Sequence, residues 1–131
     1  MTEVLQLPGG GTAVTVALAS DEITLLEVEL QPGSGAGPHR HTREDETIYV
    51  IQGRLRVQDR ELAAGEAVRL PKGISHSFAN ESDEPTRVLF ACVPGGLERF
   101  FRALLTGDDA AIAAAVEDAG LEFGDGSTTG L

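Results

Sequence analysis

Alternating apolar and polar positions divide the first two thirds of the chain into short strands. Thr12 to Ala19 (TAVTVALA) is rich in β-branched residues, which pack well on a pleated surface. Ile23 to Leu30 (ITLLEVEL) sets Leu26, Val28 and Leu30 against Glu27 and Glu29, so one face is predicted buried and the other polar. Strand 46–52 places Glu46, Ile48 and Val50 on the inward parity, with Thr47, Tyr49 and Ile51 outward. Arg54 to Gln58 alternates again, Leu55 and Val57 inward against Arg54 and Arg56. Glu66 to Leu70, Ser75 to Ala79 and Thr86 to Val93 complete the series. Between them lie turns at 20–22, 71–73 and 80–85, a loop dense in Gly and Pro at 31–38, and a crossing at 59–64. Residues 1–11 read as a lead-in. Many short strands at regular spacing predict an all-β sandwich or barrel.

After Pro94-Gly95-Gly96 the period changes. Leu97, Phe100, Phe101, Leu104 and Leu105 recur at helical spacing, and Gly107 ends the pattern. Asp108 or Asp109 can cap a second helix over Ala110 to Ala119, which Gly120 stops. One domain is expected over 1–131, with a barrel core at about 12–93, a helical tail at about 97–120 and a flexible end at 124–131.

Composition narrows the partners. The 131 residues are 41% hydrophobic and 24% charged, ordinary for a soluble globular domain. The net charge of −11 leaves no supply of cations for displacing counterions from phosphate, so nucleic acid is not an expected partner. An anionic membrane surface would repel the chain as well. One cysteine, Cys92, permits no intrachain disulfide and fits a reducing compartment. There is no leader pattern at the N-terminus, and no apolar run approaches the roughly 20 residues of a membrane span. A cytoplasmic location is therefore expected. Cys92 reads as a small buried hydrophobe, since no histidine beyond the three discussed next exists to activate it.

Candidate chemistry is concentrated in Gly33 to Gly53. His39 and His41 are two residues apart, so on a strand both imidazoles face one side. Glu46 supplies a hard oxygen donor nearby. His76, the third histidine, follows the tight Pro71-x-Gly73 turn and shares strand parity with Phe78. In a closed antiparallel barrel, strands distant in sequence face one another, so His76 can be set opposite His39, His41 and Glu46. Glu44 and Asp45 are possible alternative ligands, but their position predicts solvated loop carboxylates.

These two stretches resemble the two motifs of the cupin superfamily. In the first, Gly33, His39, His41, Glu46 and Gly53 match; in the second, Gly65, Pro71, Gly73, His76 and Asn80 match. The resemblance covers most of 23–105 and implies a double-stranded β-helix, the jelly-roll barrel. It implies that His39, His41, Glu46 and His76 bind one divalent transition metal (Fe, Mn, Ni, Zn, Co or Cu), with coordination positions left open as in catalytic sites. The string PHRHTREDETIYVIQGRL is similar to the quercetinase-like subgroup of small single-domain cupins. That similarity implies a dioxygenase-like oxidoreductase acting on a small enolic or aromatic metabolite, with Glu46 able to swing off the metal as a catalytic base. The same ligands would also serve a non-redox lyase, isomerase or cyclase, or a binding module without chemistry. Ile48, Val50, Phe78 and Phe90 are expected either to line a substrate pocket or to fill the barrel. The apolar outer face of strand 47–51 predicts a homodimer, unless the C-terminal helices cover it.

Overall fold

The computed structural model describes residues 2–124; the flexible end expected at 124–131 lies outside them from residue 125 onward. Eleven strands are present among the described residues: β1 (Glu3–Gln6), β2 (Thr12–Ala19), β3 (Thr24–Leu30), β4 (Gly35–His41), β5 (Asp45–Gln52), β6 (Arg54–Val57), β7 (Arg60–Ala63), β8 (Ala67–Leu70), β9 (His76–Ala79), β10 (Thr86–Val93) and β11 (Leu121–Phe123). Helices α1 (Glu98–Leu104) and α2 (Asp109–Ala119) separate the last two. A six-stranded sheet runs β1-β2-β3-β10-β5-β8, and a five-stranded sheet runs β11-β4-β9-β6-β7. The ladders are antiparallel. The chain crosses repeatedly between the two sheets, which is the double-stranded β-helix that the alternation and motifs predicted.

Alternation decides what the sheets enclose. Leu26, Val28 and Leu30 from β3, Ile48 and Val50 from β5, and Leu55 and Val57 from β6 are all buried. Val88, Phe90 and Cys92 of β10 join them at the same two-residue period. The paired motifs are stitched together by backbone. The Gly33 amide donates to the Asn80 carbonyl at 2.8 Å, and the Asn80 amide donates to the Ser34 carbonyl at 2.8 Å. Gly73 donates to the carbonyl of His41 at 2.8 Å, so the Pro-x-Gly turn props the first ligand strand. Asn80 is fully buried and donates its side-chain amide to the Leu30 and Glu84 carbonyls at 2.9 and 2.8 Å. Gly53 turns β5 into β6 at a φ of 89°, and a Cβ there would meet Thr86 Oγ1 at 2.7 Å, so glycine is required.

Four segments differ from the sequence reading. The lead-in contains β1 and the crossing at 59–64 contains β7; both are four-residue strands at sheet edges. Much of the loop expected at 31–38 is the first half of β4, where small residues permit close backbone approach. A Cβ on Gly35 would lie 2.2 Å from the Phe78 carbonyl oxygen of β9. Beyond Gly120, where the helical tail was expected to end and no further element was expected, β11 adds itself to β4. The caps behave as expected: Asp108 accepts from the amides of Ala110 and Ala111, and Gly120 closes α2 in the left-handed region.

Candidate metal centre

Each sheet contributes to one cluster. β4 carries His39 and His41 on its inward face, and β9 carries His76 directly opposite His39 in the ladder. β5, in the facing sheet, carries Glu46. All four side chains are at most 5% exposed. One ligand atom from each histidine lies within 4.8 Å of the other two. The carboxylate oxygens of Glu46 lie 3.7 Å from His41 Nε2 and 3.7 Å from His76 Nε2. Donors held about 2.1 Å from a common ion are separated by roughly 3 to 4 Å. The Glu46–imidazole spacings fall in that range, and the 4.8 Å limit on the histidines lies just outside it, so a small inward movement of the rings would seat one cation.

Hydrogen bonds choose which ring nitrogens face the centre. His39 Nδ1 is 2.8 Å from the Gly37 carbonyl, and His41 Nδ1 is 2.9 Å from Glu44 Oε1. Both oxygens are acceptors, so each Nδ1 carries the proton and donates it. Nε2 of each ring is left as a lone-pair donor. The opposite pattern holds inside the cluster: His41 Nε2, Glu46 Oε1 and both ring nitrogens of His76 are buried without a hydrogen-bond partner. Buried polar atoms are nearly always paired, and an unpartnered nitrogen from each of His41 and His76 beside an unpartnered oxygen of Glu46 has the chemistry of a cation site. Imidazole nitrogens with one carboxylate suit a transition metal rather than calcium or magnesium.

The electrostatics of the protein groups alone are strained. Burial pushes Glu46 up to about 7, opposed by His41 and reinforced by Glu44. Burial, with His39 and His41 as neighbours, pulls His76 down to about 4. Burial also lowers His39, against its bond to Gly37. His41 experiences the same burial, but its bond to Glu44 and the charges of Glu46 and Glu44 outweigh it and raise its pKa. A divalent cation would meet two carboxylates here, one in the cluster and one behind His41.

Glu44 is the residue that the sequence reading misplaced. It is 2% exposed, not solvated, because the three-residue connection between β4 and β5 folds it back onto His41. Its neighbour Asp45 is partly exposed, with an oxygen accepting from the Lys72 amide at 2.9 Å. Cys92 is fully buried, as expected, and its thiol is also 3.8 Å from Glu46 Oε2. Burial raises that thiol's pKa, so it is not a thiolate nucleophile.

A cavity of about 430 Å³ opens from the cluster. Phe78 and Phe90 line it; Ile48 and Val50 are fully buried and do not. His39, His41 and Glu46 are its only ionisable lining groups among the described residues. Leu97, Phe100 and Phe101 around α1, with Leu121 and Phe123 of β11 beside the imidazoles, complete an apolar wall. The spacing of Leu97, Phe100 and Phe101 predicts an amphipathic helix but not what its apolar face meets, and nothing in the pattern predicts a strand at 121–123, so this wall is visible only in the structure.

Comparison with known proteins agrees with this geometry. The chain is 34% identical over 87 residues to the polyketide synthase CurC of Streptomyces cyaneus, covering 63% of this chain and 55% of that one. It is 33% identical over 93 residues to the tetracenomycin polyketide synthase protein TcmJ of Streptomyces glaucescens, covering 66% and 62%. The aligned part thus spans little more than half of these curated relatives. Among solved structures, the polyketide cyclase RemF of Streptomyces resistomycificus superposes with a TM-score of 0.59 at 27% identity, over 71% of this chain and 72% of that one. No helix among the described residues is long and apolar enough to cross a membrane. The cupin domain model matches residues 26–92, just over half of the chain and the whole of the His39, His41, Glu46 and His76 cluster, and the chain belongs to the cupin family.

Proposed function

We propose that this protein is a metal-dependent enzyme of small-molecule metabolism whose substrate is an apolar, enolisable carbonyl compound, and that its reaction is a non-redox cyclisation or isomerisation. His39, His41, Glu46 and His76 would hold one divalent transition metal. When bound, the metal would supply Lewis acidity toward a substrate oxygen. The cavity carries the reading: its walls are apolar and aromatic, and its only ionisable end is the ligand cluster. Such a pocket grips an apolar body and offers the ligand cluster as its charged end for an oxygen, with the Thr12 and Ser34 hydroxyls as the other polar side chains of the lining. An apolar ligand seated against these walls would displace water and so strengthen the electrostatic interactions at that end. Glu46, buried between two imidazoles, is placed to hold or return a proton beside the carbonyl. The likeness to the polyketide synthase proteins CurC and TcmJ and to the polyketide cyclase RemF supports this reading.

The quercetinase-like string around His39 and His41 supports a second reading, an oxygen-dependent enzyme on a similar enolic substrate. Oxygen separates the two. Metal-loaded protein is offered β-diketones and polyhydroxylated aromatic ketones, with and without air. Turnover of any of them unchanged under nitrogen is the expected result; oxygen uptake in step with turnover would replace the first reading with the second. Failure to turn over or bind any of them would leave neither.

We further propose that two copies pair through the outer face of β5. Tyr49 and Ile51 there are 43% and 39% exposed, and the tail, which could have covered them, packs at the cavity instead. Tyr49→Lys is expected to convert a dimer to a monomer in light scattering. A parent protein that is already monomeric at micromolar concentration would refute this pairing.

A further inference from the structure

We infer that the C-terminal tail, residues 97–123, is the wall that sets substrate specificity, and that it selects a planar fused-ring ligand over a single ring. The inference rests on the proposed use of His39, His41 and Glu46 as the polar end of the site. The cupin match ends at residue 92, so the wall is built wholly outside the family domain.

Register puts the wall beside the ligands. β11 pairs with β4 so that Leu121 opposes His41 and Phe123 opposes His39. Residues directly opposite in a ladder share a face, and Leu121 and Phe123 are accordingly buried beside the imidazoles. The Phe123 ring lies 6.3 Å from that of His39 and 6.3 Å from that of Phe100. Phe100 in turn packs edge-on against Phe101 at 5.3 Å. The result is a continuous series of aromatic contacts that begins at a ligand histidine and ends at the half-buried Phe101. Flat apolar rings stack or meet edge-on with such a surface at a gain beyond simple burial, and a single ring anchored at the histidines would reach only its inner part.

The wall is fastened to the ligand loop. The Thr42 amide and hydroxyl both donate to the Gly120 carbonyl at 2.8 Å. Arg43 donates to the Gly95 carbonyl at 2.7 Å and the Asp118 carbonyl at 3.3 Å, spanning both ends of the tail. Gly120 itself takes a φ of 69°, and a Cβ on it would meet Thr42 Oγ1 at 2.4 Å. At its start, buried Glu98 accepts from Thr24 Oγ1 at 2.7 Å. A wall held at both ends is preorganised, so its shape discriminates between ligands rather than adapting to each.

The test compares binding of a hydroxylated naphthyl ketone with its single-ring phenyl counterpart by calorimetry, in the full chain. The variants are Phe101→Ala, at a half-buried position, and Phe100→Leu, which keeps an apolar side chain in the core; both lie outward of Phe123, beyond the part of the surface a single ring reaches. The parent is expected to prefer the fused ring. Each variant is expected to lose about tenfold affinity for it while holding the single ring within about twofold, at unchanged metal content. A parent without preference, or variants that keep it, overturns the wall. Preference that disappears in the variants but persists after chelation supports the wall and removes the metal-centred reading.

Discussion

His76→Ala protein is expected to fold and to contain no stoichiometric metal. Neither ring nitrogen of His76 has a hydrogen bond of good geometry. The nearest backbone group acting on the ring is that of Ile74, an exposed turn residue that water can serve, so removal of the ring orphans no buried partner. Asn80 is the contrast: its amide serves two carbonyls and its oxygen accepts from Ser82, and truncating it would leave buried groups unpaired. What His76 does is stand opposite His39 with Nε2 3.7 Å from Glu46. Losing a ligand should weaken binding beyond the roughly 10–100-fold that an outer partner of a ligand contributes. Elemental analysis of His76→Ala, and of His41→Ala with His76→Ala, is the direct measurement. One metal per chain in either protein would mean that the cluster is not the site. Thermal unfolding gives an independent reading. Metal at about 100 times its dissociation constant stabilises by about 2.7 kcal/mol, on the order of 5–15 °C for a domain of this size. Added metal should raise the midpoint of the stripped parent by such an amount and leave that of His76→Ala unmoved.

The parts of this site differ in how plainly the sequence carries them, and the reasons are physical. β3, β6 and β10 were legible because each buries one face against the core and leaves the other polar or half-buried, which writes a two-residue period into the chain. Helix α2 was legible through its caps, Asp108 and Gly120. The histidines were legible because the i, i+2 rule converts spacing directly into direction, and because the Pro71-x-Gly73 turn fixes where His76 emerges. β1, β7 and β11 were not: each has three or four residues, and edge or terminal strands of that length hold too few positions for a period to show. β4 was obscured by its own requirement for small residues, since Gly35 must pass close to Phe78. Glu44 sits in a run of charges, RED, that reads as solvent-facing. Only the tight connection between β4 and β5 turns it inward, and i+3 from a ligand histidine in a turn was the one available signal. The cavity wall depends on β11 pairing with β4, a contact between residues some eighty positions apart, which no local pattern reports.

Glu44 therefore carries the second large prediction. A histidine that binds metal through Nε2 must keep its proton on Nδ1, and a carboxylate at Nδ1 fixes that tautomer, holds the ring plane and makes Nε2 a better donor. Glu44 Oε1 is 2.9 Å from His41 Nδ1 in a setting where both are almost fully buried, so water cannot take its place. Glu44→Ala should reduce metal affinity by about 10–100-fold and lower stability by about 1–3 kcal/mol, because the Nδ1–H is left buried without an acceptor. Glu44→Gln keeps an oxygen for that proton but loses the charge, so its affinity should fall between those of the parent and Glu44→Ala. Competition with a chelator orders the three proteins. Nitrogen chemical shifts of His41 separate a positioning role from a merely structural one. The parent and Glu44→Gln should show a single Nδ1–H tautomer, and Glu44→Ala a mixture. If all three bind metal equally and His41 keeps one tautomer throughout, Glu44 is a buried carboxylate that pairs with His41 without setting it.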